Sequence, residues 1–150
     1  MFASINTPIG ALRLQEQDGF ITSLEFGRGG DAPKTDLLRL AAAQLSAYFK
    51  GSLQRFTLPL AADSSGFAHG VNEAMLAIPY GETRTYGEIA KHLEVTPQDV
   101  GQACGANRVP ILIPCHRVVG AQNLGGYSGA GGIETKVALL KLEGGASLLL

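Results

Sequence analysis

The sequence predicts an α/β (α+β) chain in which a small strand-rich N-terminal lobe precedes a helical C-terminal lobe with a helix-turn-helix. Three observations predict it. Asp18-Gly19 stands between two alternating apolar runs, apolar residues recur at helical spacing from 36 to 50, and two helix-start signatures follow one another at Thr85 and Thr96.

In the first lobe, Leu12 and Leu14 alternate with Arg13 and Gln15, and Ile21, Leu24 and Phe26 follow the Asp-Gly pair. Such a pair tolerates the positive φ that a two-residue hairpin turn needs. Leu37, Leu38, Ala41, Leu45, Tyr48 and Phe49 then fall on one helical stripe, with Gly51 as the stop. The run LAADSSGF at 60–67 has the small and polar composition of a surface connection, which places a boundary between lobes 1–62 and 63–150.

The second lobe reads as mainly helical. A short helix over Val71 to Ile78 ends before Pro79-Tyr80-Gly81. Thr85-Tyr86-Gly87-Glu88 has the form of a capping box and opens a helix through Leu93. Thr96-Pro97 sets an N-cap before a proline and starts another helix toward Ala106. By these signals alone the pair fits a helix-turn-helix or an ordinary helical hairpin. Its second helix carries Gly101, Ala103, Gly105 and Ala106, although an interior glycine costs ~1 kcal/mol against alanine. A face without bulk admits either a nucleic acid or a closely packed helix.

Composition narrows the function classes. Of 150 residues, 45% are apolar and 17% charged, which excludes a disordered chain. No apolar run approaches the ~20 residues of a membrane helix. The opening MFASINTPIG lacks a basic segment followed by an apolar one, so a cytoplasmic protein without membrane contact is expected. Its two cysteines, Cys104 and Cys115, suit a reducing compartment. Twelve Lys and Arg against thirteen Asp and Glu leave a net charge of −1. Nucleic-acid binders usually show a basic patch. Any such binding here is expected to be modest unless folding clusters the cations.

The chemistry concentrates in Ile111-Leu112-Ile113-Pro114-Cys115-His116-Arg117-Val118-Val119, where a thiol, an imidazole and a guanidinium meet. Burial alone would silence a cysteine by raising its pKa, and a neighbouring base or cation reverses that. In an extended chain adjacent side chains point to opposite faces, so His116 reaches Cys115 only through a turn or a bridging water. Taken alone, the dipeptide is compatible with packing as well as with catalysis. His69, His92 and His116 are scattered and show no zinc spacing, so no metal site is expected.

Ile-Pro-Cys-His-Arg-Val at 113–118 resembles the active-site signature of the O6-alkylguanine-DNA alkyltransferases. So do Ile78-Pro79-Tyr80-Gly81-Glu82-Thr83, Thr85-Tyr86-Gly87-Glu88-Ile89-Ala90, Val100-Gly101-Gln102-Ala103, Asn107, Gly126-Tyr127-Ser128-Gly129 and Lys136…Leu139-Leu140…Glu143. The likeness is dense over 78–143 and looser before it. It implies a monomeric DNA-repair protein that binds double-stranded DNA from the minor groove and flips out an O6-alkylated guanine. It implies, further, that Cys115 takes the alkyl group irreversibly, once per molecule and without a cofactor. His116 would be the base, acting through a water, with Glu143 orienting it. Tyr86 would donate to the departing guanine, and Asn107 would hold the active-site turn. Val118, Tyr127, Ser128 and Gly129 would line the base pocket. Thr85, Gln98, Gly101, Ala103 and Arg117 complete the DNA-facing set.

Four departures from the family pattern stand out. Gln98 occupies the place of an intercalating arginine, and Arg108 replaces the proline after the asparagine. Phe67-Ala68…Val71-Asn72 replaces Phe-Gln…Val-Trp, and the loop after Leu93 is short by about two residues by eye. Weakened DNA engagement with intact chemistry is the expected consequence. Two other functions compete. One is an alkyltransferase-like lesion binder, which the presence of Cys115 disfavours. The other is a cysteine hydrolase, which lacks a glycine-rich nucleophile elbow.

Overall fold

The Asp18-Gly19 turn is a two-residue connection with φ of 52° and 83°, as the sequence predicts. It joins β2 (Gly10–Gln17) to β3 (Phe20–Phe26), and β1 (Phe2–Thr7) adds to the other edge of β2 in an antiparallel sheet ordered β1-β2-β3. The sequence reading has no β1. Only Ala3 of that strand is buried, so its alternation is too weak to read. Helix α1 (Asp36–Phe49) is capped by Thr35, whose Oγ1 accepts from the Leu38 N–H at 3.1 Å. It buries Leu38, Ala41, Leu45 and Tyr48, and the sheet buries Leu12, Leu14, Ile21 and Leu24. These elements make up one unit, Met1–Ala61. The computed structural model describes residues 1–61, 66–126 and 132–144 of the chain.

The second unit, Ala62–Leu150, begins its described part with α2 (Gly66–Leu76), which starts ahead of the expected Val71. Helices α3 (Tyr86–Leu93) and α4 (Pro97–Gly105) both open on reciprocal capping boxes. Thr85 Oγ1 accepts from Glu88 N–H and Glu88 Oε1 accepts from Thr85 N–H, each at 3.0 Å, and Thr96 with Asp99 repeats the pattern. Between the helices Glu94 adopts the left-handed region (φ 58°), ending α3 and turning the chain into α4. Two strands of two residues, β4 (Arg84–Thr85) and β5 (Val118–Val119), pair in parallel. They tie the start of the helix-turn-helix to the segment that follows Cys115. Helix α5 (Ile133–Glu143) ends at Gly144, whose φ of 78° suits a left-handed stop. Among the described residues no helix is long and apolar enough to cross a membrane.

The segment 111–119 is buried throughout, but only its last two residues are strand. Asn107 folds it. Its Oδ1 accepts from Val109 N–H at 3.0 Å while its Nδ2 donates to the Ile113 carbonyl at 2.9 Å. Ile111 is thereby held at φ 74°, a region that β-branched residues rarely enter.

Candidate active site

Cys115, His116 and Arg117 form a single turn of 3-10 helix, and all three side chains are buried. The turn removes the obstacle of an extended chain, in which neighbouring side chains diverge. His116 Nε2 lies 2.7 Å from Glu143 Oε2 at the end of α5. Glu143 also receives Arg117, with Nε 2.8 Å from Oε1 and a terminal nitrogen 3.1 Å from Oε2. The other terminal nitrogen of Arg117 donates to the Ile78 carbonyl at 2.8 Å.

Burial alone would raise the Glu143 carboxyl. Hydrogen bonds and charge from His116 and Arg117 outweigh it and hold the group at about 2. Glu143 is therefore a carboxylate that accepts the Nε2 proton, which leaves the other ring nitrogen as the lone pair. Burial lowers the His116 pKa, so the ring is neutral near pH 7. Its Nδ1 is buried without a hydrogen-bond partner among the described residues.

The Ile-Pro-Tyr-Gly motif serves this same network. Ile78 supplies the carbonyl for Arg117, and the Tyr80 hydroxyl donates to the Leu142 carbonyl at 3.2 Å. Gly81 (φ 84°) lets the chain pass the end of α5, where a Cβ would sit 3.1 Å from the Glu143 carbonyl oxygen.

Around the thiol stand Asn107, Tyr86, Cys104 and Lys136. Burial pushes the Cys115 thiol up. A hydrogen bond from the Asn107 amide and the Lys136 charge oppose that rise. Burial also raises the Tyr86 phenol, with Cys104 adding to it and a Gly126 backbone hydrogen bond opposing, so Tyr86 keeps its proton at neutral pH. Cys104 Sγ contacts Met75 Sδ at 3.7 Å, and burial drives this second thiol to about 12, which leaves it inert. Among the described residues no group of three or more His, Cys, Asp or Glu is arranged to hold a metal.

Comparison with known proteins settles the family. Residues 1–62 match the model of the 6-O-methylguanine DNA methyltransferase ribonuclease-like domain, and residues 66–145 match that of its DNA-binding domain. The chain belongs to the 6-O-methylguanine DNA methyltransferase family. A methylated-DNA–protein-cysteine methyltransferase of Methanosarcina acetivorans is 40% identical over 95% of this chain and 97% of its own. One from Mycobacterium tuberculosis is 41% identical over 95% of this chain and 91% of its own. A crystal structure of the Mycobacterium tuberculosis protein in complex with DNA superposes with a TM-score of 0.84, at 41% identity over 95% of this chain and 92% of the other.

Within this methyltransferase the structure brings the buried Cys115, His116 and Glu143 together with the half-buried Asn107 and Tyr86. Thr85 is the N-cap of α3, and Gln98 is exposed in the first turn of α4. Gly101 lies partly exposed on α4, and Val118 is buried in β5. Tyr127, Ser128 and Gly129 fall outside the described residues.

Two of the residues expected to face DNA lie in the interior. Arg117 is buried and bonded to Glu143 and the Ile78 carbonyl. Ala103 sits with Val100 and Cys104 on the buried stripe of α4, where i, i+3, i+4 spacing turns it inward.

Sequence reading also passed over Lys136 as a functional residue, although it is fully buried beside the thiol. A signal was present: Lys136, Leu139, Leu140 and Glu143 occupy i, i+3, i+4 and i+7, the core stripe of α5, with opposite charges at its two ends.

Proposed function

We propose that the chain binds double-stranded DNA containing O6-alkylguanine and transfers the alkyl group irreversibly to Cys115. The observation that carries this reading is the buried lone pair at His116 Nδ1, in a ring fixed by Glu143 one residue from the thiol. The Cys115 proton passes to that nitrogen, directly or through one water, and the imidazolium formed is stabilised by the Glu143 carboxylate. The thiolate attacks the alkyl carbon, a C–S bond forms and the C–O6 bond breaks with its electron pair left on guanine. Tyr86, still protonated, hydrogen-bonds the departing base, which takes up a proton from water while the His116 imidazolium returns its own to water. The thioether persists, so each molecule acts once.

Supporting the DNA reading is the exposed face of α4, which carries Gln98, Gln102 and Gly105 with Gly101 beside them. No atom of the described residues outside α4 lies within 4 Å of where a Cβ on Gly101 or Gly105 would sit, so packing within the chain does not explain these glycines. A minor-groove approach by α4 of a single copy of the chain accounts for them, with the target nucleotide flipped toward Cys115.

Intact mass after incubation with an O6-methylguanine oligonucleotide tests the proposal. One methyl adduct, absent in Cys115→Ala, with stoichiometric loss of the lesion, is the expected result. Binding without an adduct would indicate a lesion binder, and repeated ester turnover would indicate a hydrolase.

A further inference from the structure

Helix α4 is the element that the proposed function sets against DNA, but its residues Pro97–Gly105 include Asp99 and no lysine or arginine. Neutralising phosphate supplies most of the sequence-independent affinity for DNA, so charge has to reach this helix from its ends. The N-terminal end carries the favourable sign by itself. The C-terminal end, which leads into Asn107, presents carbonyls and the negative pole of the helix, and both repel phosphate.

Arg108 lies just past that end. It is exposed, and its guanidinium forms no hydrogen bond or ion pair with a described residue. The backbone beside it is held on both sides. Asn107 N–H donates to the Cys104 carbonyl at 3.2 Å, and Asn107 Oδ1 accepts from Val109 N–H at 3.0 Å. The Asn107 amide also donates to the Ile113 carbonyl at 2.9 Å and stands beside the Cys115 thiol. Arg108 is thus a free charge on a fixed base, one residue from a group that touches the nucleophile. Adjacent Cα atoms are about 3.8 Å apart, so an arginine side chain here reaches the rim of any pocket that Asn107 lines.

The other cations of the second unit are placed differently. Arg117 and Lys136 are buried, Arg84 is paired with Glu82, and Lys91 and Lys141 lie in the last turns of α3 and α5. Arg108 adjoins both α4 and the thiol. Packing gives no reason for it, since the side chain packs against no partner. The proline of the family pattern would instead have fixed the backbone φ at this position. The exchange gives up that rigidity and gains a charge.

We infer that Arg108 binds a backbone phosphate flanking the flipped nucleotide, and so holds the lesion-bearing strand at the mouth of the thiol pocket. The inference rests on the proposed binding of DNA by α4. With guanine O6 at Cys115 Sγ, the base fills the pocket while its sugar and two flanking phosphates stay at the mouth. There a guanidinium holds a phosphate through two parallel N–H bonds. Such a contact fixes the register of the strand and ignores the neighbouring bases. The competing account is structural: Arg108 does no more than offset the negative end of α4.

The test uses the full-length chain with Cys115→Ala, so that the lesion persists, and follows binding to an O6-methylguanine duplex by fluorescence anisotropy. Duplexes carrying one neutral methylphosphonate at each phosphate around the lesion are compared with the unmodified one. One phosphate contact contributes a slope of about −0.9 in log K against log salt. Adding Arg108→Gln should therefore flatten the slope by about 0.9 and weaken binding about eightfold at about 0.1 M salt. Arg108→Lys keeps the charge and should keep the slope. A methylphosphonate at one flanking position should weaken binding when Arg108 is present and have no effect on the Gln variant.

A folded Arg108→Gln protein with an unchanged slope and an unchanged response to every methylphosphonate overturns the inference. A lowered melting temperature with that same unchanged binding overturns it too, and assigns Arg108 to the end of α4. Should the Gln variant not fold, the protein with Arg108 intact decides, and indifference to methylphosphonate at both flanking positions overturns the inference. Failure of that protein to bind the unmodified duplex at all would sink the DNA reading itself, and the role of Arg108 with it.

Discussion

One carboxylate does two jobs in this site. Glu143 orients the His116 ring and neutralises Arg117, and all three groups are buried. Removing one partner of a buried pair leaves an uncompensated charge, at a cost of about 3–5 kcal/mol. Glu143→Gln should therefore lower thermal stability and alkyl transfer together, and calorimetry with single-turnover kinetics measures both. The pKa shifts fix the sign of the acid response. Glu143 drops from an ordinary 4.5 to about 2, so its contribution is complete above 4.5 and fades as pH falls toward 2. His116 is also depressed, from 6.5, and opposes folding once pH falls below that value. Urea midpoints should decline in two stages on acidification, and Glu143→Gln should flatten the lower one. At Gly125, substitution by alanine would press a methyl group to 2.8 Å from Tyr86 in a backbone with φ of 70°. Tyr86 must then move, and alkyl transfer should fall more than the reactivity of Cys115 toward iodoacetamide.

At the scale of elements, α4 separates stability from function. Among the described residues Gly101 and Gly105 meet no neighbour that a methyl group would strike. Gly101→Ala should then stabilise the helix by about 1 kcal/mol. It should also slow repair of duplex DNA while sparing transfer from free O6-benzylguanine. A loss of folding stability on this change would show that the glycine serves packing. Gln98 sits exposed in the first turn of the same helix, where an arginine would add charge and a flat stacking surface. Gln98→Arg should accelerate transfer from duplex more than from the free base, and equal effects on both would refute its place at the DNA. The short parallel pair β4–β5 links this helical element to the chemistry, because Thr85 of the capping box and Val119 beyond the nucleophile are register partners.

For the whole molecule the charge distribution decides how strongly DNA is held. Folding withdraws Arg117 and Lys136 from the surface and pairs Arg84 with Glu82. In the second unit Lys91, Arg108 and Lys141 remain exposed with no ion pair to a described residue. No more than three phosphate contacts from these cations gives a slope of log K against log salt no steeper than about −3. Fluorescence anisotropy between 50 and 200 mM salt, roughly the range over which such slopes are read, checks this. A steeper slope would mean that cations of Met1–Ala61 also reach the DNA.

Sequence alone determined whatever depends on neighbours along the chain. The capping box at Thr85, the N-cap at Thr96, the Asp18-Gly19 turn and the stripe of α1 are local bargains between side chains and the nearest backbone. The family signature singled out His116 and Glu143, which stand far apart in the sequence and which the fold brings into a hydrogen bond. What the tertiary structure decided were the states of charged groups. The linear string places Arg117 toward DNA and assigns Lys136 no role. Their burial follows from a carboxylate 26 residues from Arg117 and carbonyls 10 and 18 residues from Lys136. Ile111 shows the same division: its positive φ is imposed by Asn107 gripping Val109 and Ile113, which no local preference of isoleucine would produce. Local propensity is written residue by residue, but the energy of a buried charge is set by groups that only folding brings within reach.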